Sequence, residues 1–175
     1  MVSIIGGEIA LVTTGNFSSP KPEINALTDY FVLHLKDPNN GLSQLNRLAR
    51  NVKGDSANTK ADSLEQYRNH TIGFLDIGSV WSNLFGSCFS SINKNYFTLI
   101  DEYIVFANSS DDLKSFIGSN LAERTLQRDI HYQTFAENIS SKTNCFVYYN
   151  IPICIKTGWL QSVVTEDLAK TLKTN

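Results

Sequence analysis

The stretch from Asn95 to Gly118 constrains the fold more than any other part of the sequence, because three local signals agree within it. Two short runs rich in β-branched and aromatic residues, Tyr96–Ile100 and Tyr103–Ala107, flank the acidic pair Asp101–Glu102 and predict a β-hairpin. A serine with an aspartate three residues later then precedes an apolar pattern of helical spacing, which is typical of a capped helix. The stretch therefore predicts a hairpin that leads directly into a helix.

Further strands and helices are predicted along the chain by the same kinds of pattern. Apolar runs bounded by Gly, Pro, Asn or Asp predict strands at Glu8–Thr13, Tyr30–Leu35, Thr71–Ile77 and Cys145–Ile151. Apolar residues three and four apart predict helices from Leu42 to Val52, from Ser79 to a stop or bend at Gly86, from Ser109 to Leu121, at Asp129–Asn138, and from Thr157 to Leu172. The remaining segments include a predicted turn at Asp37–Gly41 and a predicted surface loop at Asp55–Asp62.

The order of these elements predicts an internal repeat. Strand, strand, helix, strand and helix are followed by the same order again, with one helix inserted. Tyr30–Leu33 aligns with Tyr103–Phe106 at an offset of 73 residues, and Asp76–Ile77 aligns with Asn150–Ile151 at an offset of 74. We therefore predict two ββαβα repeats, which cover approximately residues 6–92 and 93–173.

Together the predicted elements indicate an α+β fold with a predominantly antiparallel sheet and helices on one face. The chain has 175 residues, which is long enough to bury about two-thirds of its unfolded surface in one core. We expect a single domain over residues 1–175. The sequence opens almost directly in a strand-like run and ends after a helical pattern, so we also expect a fragment of a longer protein.

The distribution of charge argues against nucleic-acid binding. The chain has 15 basic and 17 acidic residues, which are interspersed and leave a net charge of −2 without a basic stripe. Its apolar runs, such as Ile9–Val12 and Phe146–Tyr149, are far shorter than the roughly 20 residues that a membrane helix needs. Neither a nucleic-acid partner nor a membrane span is therefore expected in this segment.

The cysteines Cys88, Cys145 and Cys154 have apolar neighbours and no C-x-x-C spacing. We expect buried thiols that behave as small hydrophobic side chains. A single disulfide and a reactive thiol are the alternatives. The spacing does not decide among the three, so the disulfide status of these residues is left open.

No catalytic, cofactor-binding or metal-binding residue is predicted, because the residues able to do chemistry are scattered. His34, His70 and His131 share no metal-ligand spacing, and no cysteine lies within four residues of any of them. We expect His34 to be a half-buried strand residue, His70 to lie at a strand entrance and His131 to lie on the surface. Asp76 has two interpretations: a general acid whose pKa is raised among aromatic residues, or, as we prefer, a cap for the following helix.

Two acidic pairs are interpreted as structural. Asp101–Glu102 offers two carboxylates where calcium takes six or more oxygens, so it is expected to be a solvated turn. Asp111–Asp112 places negative charge at the positive end of a helix dipole. The glycine-rich phosphate-binding motifs and the G-x-S-x-G motif of serine hydrolases do not occur in the sequence, and no cofactor is expected.

Residues 73–119 and 125–151 carry a resemblance to a known family. The matching residues are Leu84–Gly86, Tyr96–Ile100, Tyr103–Ser109, the helix around Leu113, Thr125–Leu126 and Asn144–Ile151. In them the chain resembles a family of uncharacterised proteins from Bacteroidetes, a domain-of-unknown-function family in large cell-envelope proteins. The resemblance implies a piece of a longer protein that is anchored in the envelope and exposed outside the cytoplasm. It carries over no functional residues.

The sequence alone does not specify an activity. We expect a non-enzymatic structural or protein-interaction module of a bacterial envelope protein, located in the periplasm or cell envelope. Its expected partners are other domains of the same protein or another envelope protein. The alternative is a small-molecule or glycan-binding domain with a groove between the two repeats. An enzyme would need a cleft that holds His34 or Asp76 within hydrogen-bond reach of a second titratable group.

Overall fold

The computed structural model describes residues 5–15, 27–53, 65–75, 77–139 and 145–156. The strands within these ranges are β1 (Ile5–Gly15), β2 (Leu27–Leu35), β3 (Glu65–Tyr67), β4 (His70–Phe74), β5 (Tyr96–Ile100) and β6 (Tyr103–Ala107). The helices are α1 (Pro38–Lys53), α2 (Val80–Phe85), α3 (Ser110–Leu121), α4 (Ile130–Ala136) and α5 (Ile151–Lys156). Two short 3-10 turns lie at Ser87–Phe89 and Leu126–Arg128.

The chain divides into two compact units. The first unit, Met1–Thr13 with Thr28–Asp129, contains almost all of the strand residues and α1 to α3. The second unit, Thr14–Leu27 with Ile130–Asn175, contains α4 and α5. The expected boundary between repeats near residue 92 falls inside the first unit.

The six strands form one antiparallel sheet in the order β1-β2-β6-β5-β4-β3. At its centre β2 pairs with β6, with Val32 opposite Val105 and Phe31 opposite Phe106. β6 also pairs with β5, its partner in the hairpin around Asp101–Glu102. The α+β class and the antiparallel sheet predicted from the sequence are confirmed.

One face of the sheet carries an aromatic core. The ring of Phe31 lies 5.0 Å from that of Trp81 in α2 and 5.1 Å from that of Phe89 in the following 3-10 turn, and Trp81 lies 4.7 Å from Phe106. Offset and edge-to-face ring pairs at such distances stabilise a core beyond the area that they bury. This first core consists of Phe31, Leu33, Leu35, Leu45, Leu75, Ile77, Trp81, Phe89, Ile92, Phe97, Ile104 and Phe106.

The opposite face carries a second core, which α3 covers. Leu113 and Ile117 of α3 are fully buried there against sheet residues that include Tyr30, Ile72 and Val105. Helical residues therefore contact both faces, and the prediction of helices on one face is wrong. The physical reason is that β2 and β6 are apolar at consecutive positions, so alternate side chains on each strand require cover on both sides of the sheet.

The hairpin and the helix after it are confirmed at the predicted residues. β5 and β6 have the predicted bounds, and Asp101 at the turn adopts a φ of 52°. The side chain of Ser109 accepts a hydrogen bond from the backbone N–H of Asp112 at 3.1 Å and donates one to the Asp112 carboxylate at 2.7 Å. Ser109 is therefore the N-cap of α3, and the Asp112 carboxylate holds the capping hydroxyl in place.

α1 begins earlier than predicted. Asp37–Gly41 was expected to be a turn, but Pro38 is already the first helical residue. The Asp37 carboxylate accepts hydrogen bonds from the backbone N–H groups of Asn39 and Asn40 at 3.0 and 3.2 Å. An N-terminal aspartate cap followed by proline at the first helical position is a favoured helix start, so turn-forming residues served here as a cap.

A second hairpin was missed. β3 and β4 are joined by Arg68 and Asn69, which have φ angles of 47° and 67°. Two central residues with positive φ are typical of the tight turn that suits the twist of a hairpin. The predicted strand Thr71–Ile77 corresponds to β4, which ends earlier, at Phe74. The predicted loop Asp55–Asp62 lies outside the described residues.

The strand predicted at Cys145–Ile151 is wrong. Residues 145–150 are irregular, and α5 begins at Ile151. The Asn150 side chain accepts a hydrogen bond from the Ile153 backbone N–H at 3.2 Å, which makes Asn150 the cap of this helix. Pro152 fits in the first turn, where a helix needs no backbone donor, although it was expected to end a strand. The helix predicted from Thr157 lies outside the described residues.

The described elements do not confirm the internal repeat. The two aligned segments, Tyr30–Leu33 and Tyr103–Phe106, do lie side by side in the sheet. Equivalent copies around an antiparallel pair are related by a two-fold axis perpendicular to the sheet, which would place their helices on the same face. Instead, α1 contributes Leu45 to the first core, and α3 contributes Leu113 to the second.

Phe31→Ala is expected to lower the free energy of unfolding by about 3–5 kcal/mol, because it removes a ring that contacts several aromatic neighbours and leaves a cavity. Chemical denaturation measures the change. Leu84→Ala is the matched control, since Leu84 is exposed on α2, and it should cost less than about 0.5 kcal/mol. Equal losses in the two variants would contradict the described core.

Ser109→Ala is expected to lower the free energy of unfolding by about 1 kcal/mol, because it removes the cap of α3. The exposed Ser115 in the same helix provides the control, since Ser115→Ala should be neutral or slightly stabilising. Ser109→Asp keeps a capping oxygen. Comparing its denaturation curve with that of Ser109→Ala separates loss of the cap from a general effect of substitution at this position.

Candidate functional site

Four polar side chains from β1, β2, β6 and the hairpin turn form a cluster on the sheet face that carries the second core. They are Glu8, His34, Glu102 and Tyr103. His34 lies opposite Tyr103 in the β2–β6 register, and their rings are 5.0 Å apart. Because the cluster joins residues from distant parts of the chain, no single sequence motif contains it.

The contacts within this cluster are long and partly solvated. His34 Nε2 lies 3.4 Å from Glu102 Oε2, and the Tyr103 hydroxyl donates to Glu8 Oε2 at 3.4 Å. The side chain of Glu102 is 69% exposed, whereas that of His34 is 26% exposed. Such exposed pairs contribute little to stability because water competes for both partners.

The chemistry of Tyr103 follows from its surroundings. Burial and the nearby Glu8 carboxylate raise the pKa of the Tyr103 hydroxyl above its ordinary value, because both disfavour the tyrosinate anion. Tyr103 is therefore a hydrogen-bond donor at neutral pH rather than a base. Its geometry connects β1 to β6 across the intervening strand β2.

β1 contacts β2 at two further points on its inner side, which is the side that pairs with β2. A Cβ atom at Gly6 would overlap the His34 ring, so the absence of a side chain there allows the strand to approach the ring closely. Near the other end of β1, the Thr13 hydroxyl donates to the Asp29 carboxylate at 2.6 Å. These contacts hold β1 against the sheet and leave its other side facing outward.

β1 is a long edge strand with two exposed large apolar side chains. β1 has 11 residues and is the terminal strand of the described sheet. Ile9 and Leu11 are 41% and 38% exposed, and both point to the face opposite Val12, which packs on the second core. An edge strand presents unpaired N–H and C=O groups that can pair with another strand.

The opposite edge of the described sheet is protected. β3 has three residues, and its Glu65 forms an ion pair at 2.6 Å with Lys114 of α3. Lys114 also contacts Asp111 at 3.1 Å, and the hydrogen bonds to both carboxylates raise the pKa of its ammonium group. Short edge strands with charged side chains are a common device against unwanted pairing, whereas β1 is long and Glu8 is its one ionisable side chain.

The other two histidines lie on β4 and α4. His70 begins β4 and is half-buried, with Nδ1 3.3 Å from the backbone oxygen of Leu99. His131 is exposed on α4. These positions confirm the expected environments of His34, His70 and His131. Asp76 lies outside the described residues.

The expectation of buried cysteines is wrong. Cys88 and Cys145 are exposed and Cys154 is partly buried. All three lie in the described part of the chain, and they form no disulfide with one another. Burial raises the pKa of the Cys154 thiol, which favours the protonated, less reactive form. Apolar neighbours in the sequence did not predict burial here, since Cys88 is exposed although the adjacent Phe89 belongs to the first core.

The second unit carries an aromatic cluster. Tyr132 and Phe135, one helical turn apart on α4, contact Phe146 and Tyr148 of the irregular segment, with ring centroids 5.1–6.4 Å apart. Phe146 and the neighbouring Tyr149 remain about half exposed. Tyr148 is more buried than Tyr149.

Among the described residues, no group of three or more His, Cys, Asp or Glu side chains is arranged to hold a metal ion. In the same part of the chain, no helix has the length and apolar character needed to cross a membrane.

Comparison with protein families gives a match over almost the whole chain. A family described as "Protein of unknown function (DUF3352)" matches residues 5–175. The chain belongs to the DUF3352 family. Its membership confirms the sequence-based inference of an uncharacterised domain-of-unknown-function family, and the DUF3352 match extends over both units. Comparison with curated proteins and with solved structures gave no significant match.

Glu8→Gln is expected to lower the pKa of Tyr103 while leaving it above its ordinary value of about 10, because the charge is removed but the larger effect of burial persists. Because the pKa of Tyr103 is raised in the folded protein, the protonated hydroxyl contributes stability at pH values below about 10. This contribution is lost as the pH rises through the raised pKa. Ultraviolet titration of tyrosinate, with Tyr103→Phe as the reference, measures the shift. Glu65→Gln at the opposite edge should leave it unchanged.

Proposed function

We propose that this chain is a non-enzymatic protein-interaction module and that its binding element is the outer edge of β1. The observation that supports the proposal is the contrast between the two sheet edges. β3 is short and charged, whereas β1 is 11 residues long and exposes Ile9 and Leu11. A protein that avoided strand pairing would protect both edges.

Strand addition explains how such an edge would bind. An extended segment of a partner would form main-chain hydrogen bonds with β1, and its alternate side chains would contact Ile9 and Leu11. The inner contacts at Gly6 and Thr13 support this role, because they hold the strand straight against β2 before a partner arrives. The binding element is thus preorganised.

The polar cluster favours a structural role over catalysis. His34 does lie near a second titratable group, Glu102, but that carboxylate is mostly exposed. Tyr103 stays protonated at neutral pH and is directed at Glu8. General acid–base catalysis requires groups held in a site where water is controlled, and solvated pairs across a sheet surface supply little of that control.

The proposed setting is a bacterial cell envelope, with the module forming part of a larger protein. The resemblance to envelope proteins of Bacteroidetes supports this setting. In it, the partner strand would come from another domain of the same protein or from another envelope protein.

Small-molecule or glycan binding is the second candidate function. The half-exposed rings of Phe146 and Tyr149 in the second unit favour it, because exposed aromatic rings offer an apolar surface for sugar rings. Thermal denaturation against a glycan and metabolite panel distinguishes the two functions. We expect no stabilisation, and a reproducible rise in melting temperature with one ligand class would favour the second candidate.

The interaction function is tested by site-specific photo-crosslinking. A photoreactive amino acid at Leu11 should form protein adducts in cells of the source organism, whereas the same group at the exposed Ser115 of α3 should form few or none. Mass spectrometry of the adducts identifies the partner. Absence of protein adducts from Leu11, or equal yields from both positions, would overturn the proposal.

A further inference from the structure

We propose that the outer edge of β1 pairs antiparallel with β1 of a second copy of this chain, so that two six-stranded sheets become one continuous sheet. This inference rests on the proposed function, because it names the partner of the same edge. Three observations on β1 carry it: the composition of the strand, its symmetry about a central residue and the position of its one ionisable side chain.

The composition of β1 permits pairing over its whole length. The sequence of Ile5–Gly15 contains no lysine, arginine or proline, which are the residues that commonly block edge pairing. The strand lies at the end of the described sheet, so no other described strand pairs with its outward N–H and C=O groups. The net charge of −2 is too small to keep two copies apart at physiological ionic strength.

The symmetry of β1 defines the register. Ala10 is the midpoint of Ile5–Gly15, so a two-fold axis at Ala10 would pair all 11 residues with their counterparts. This register places Ile9 opposite Leu11 of the second copy, and Leu11 opposite Ile9. Both exposed apolar side chains of one strand would thereby become cross-strand neighbours of apolar side chains on the other.

The position of Glu8 favours the same register. With the axis at Ala10, Glu8 lies opposite Val12, and the two Glu8 residues are four positions apart, about 13 Å along the strand. Their repulsion is then largely screened at physiological salt, where the screening length is about 8 Å. Moving the axis to Ile9 would bring the two carboxylates into diagonal positions about 7–8 Å apart and shorten the pairing. A small residue, Ala10, is left at the axis.

Second-copy pairing also fits the kind of surface that β1 presents. An isologous interface needs one patch that is complementary to itself, and closed two-fold dimers are the commonest oligomers. The two exposed large apolar side chains of β1, Ile9 and Leu11, lie symmetrically about its midpoint, so they meet this requirement without a second binding surface. Pairing with a different protein would use the same main-chain groups but would not require this symmetry.

Disulfide trapping tests the register directly. In the full chain with Cys88, Cys145 and Cys154 replaced by serine, Ala10→Cys should form a disulfide-linked dimer under mild oxidation, at twice the monomer mass of 19.5 kDa. Antiparallel neighbours have Cα atoms about 4.5–5.5 Å apart, which suits a disulfide. Thr13→Cys is the matched control, because two Thr13 residues would be about 20 Å apart in this register. Equal trapping of both variants would overturn the inference.

Sedimentation analysis tests the association itself. The wild-type chain should be a dimer, and the double variant Ile9→Lys/Leu11→Lys a monomer, because the new charges face one another across the axis. Leu84→Lys, on an exposed apolar position of α2, should remain a dimer. Far-ultraviolet circular dichroism checks folding, and if the double variant unfolds, the Ala10→Cys and Thr13→Cys pair still decides the question.

The failure of this inference is distinguishable from failure of the proposed function. A wild-type chain that is monomeric at all accessible concentrations overturns second-copy pairing. If Leu11 then forms photo-adducts with a different protein, the interaction function stands with another partner. If Leu11 forms no protein adducts at all, the interaction function is overturned as well.

Discussion

The antiparallel pairing of β2 with β6 is the contact on which the first unit depends. These strands are far apart in the sequence, yet each is apolar at consecutive positions, and together they form the centre of the sheet. Because side chains alternate between the two faces of a sheet, the pairing of β2 with β6 creates an apolar surface on each face. Covering each surface is favourable because it removes apolar area from water. The aromatic core around Phe31 and Trp81 covers one, and α3 covers the other.

This central pairing also determines the two edges. With β2 paired to β6, β1 extends the sheet on one side, and the β5–β4–β3 meander extends it on the other. The meander ends in a short strand tied to α3 by the Lys114–Glu65 ion pair. β1 is instead held along its inner side, by Gly6, Glu8 and Thr13, and no other strand of the described sheet pairs with its outer side. The asymmetry of the edges therefore follows from the topology together with the length and composition of the two edge strands.

The candidate site shows why sequence patterns found single residues but not their arrangement. His34 was recognised as a half-buried strand residue, and Asp101–Glu102 as a solvated turn. Their proximity, with the His34 imidazole 3.4 Å from Glu102, depends on the β2–β6 register. Tyr103 and Glu8 were not identified as partners at all, because 95 positions separate them and no spacing rule connects residues across three strands. A prediction of strand order and register would have been needed to find them.

Local signals in the sequence determined the β5–β6 hairpin, the capped start of α3, the stop of α2 at Gly86 and the α+β class, because each depends on residues within a few positions of one another. Local signals gave wrong predictions where the same residues are compatible with two structures. Asp37–Pro38 is compatible with a turn or a helix start, and the apolar run before Pro152 is compatible with a strand or an irregular segment. Only the tertiary structure decided the strand order, the cover on both sheet faces and the exposed edge of β1. These features depend on which distant apolar surfaces pair to exclude water, and the order of residues along the chain does not record that choice.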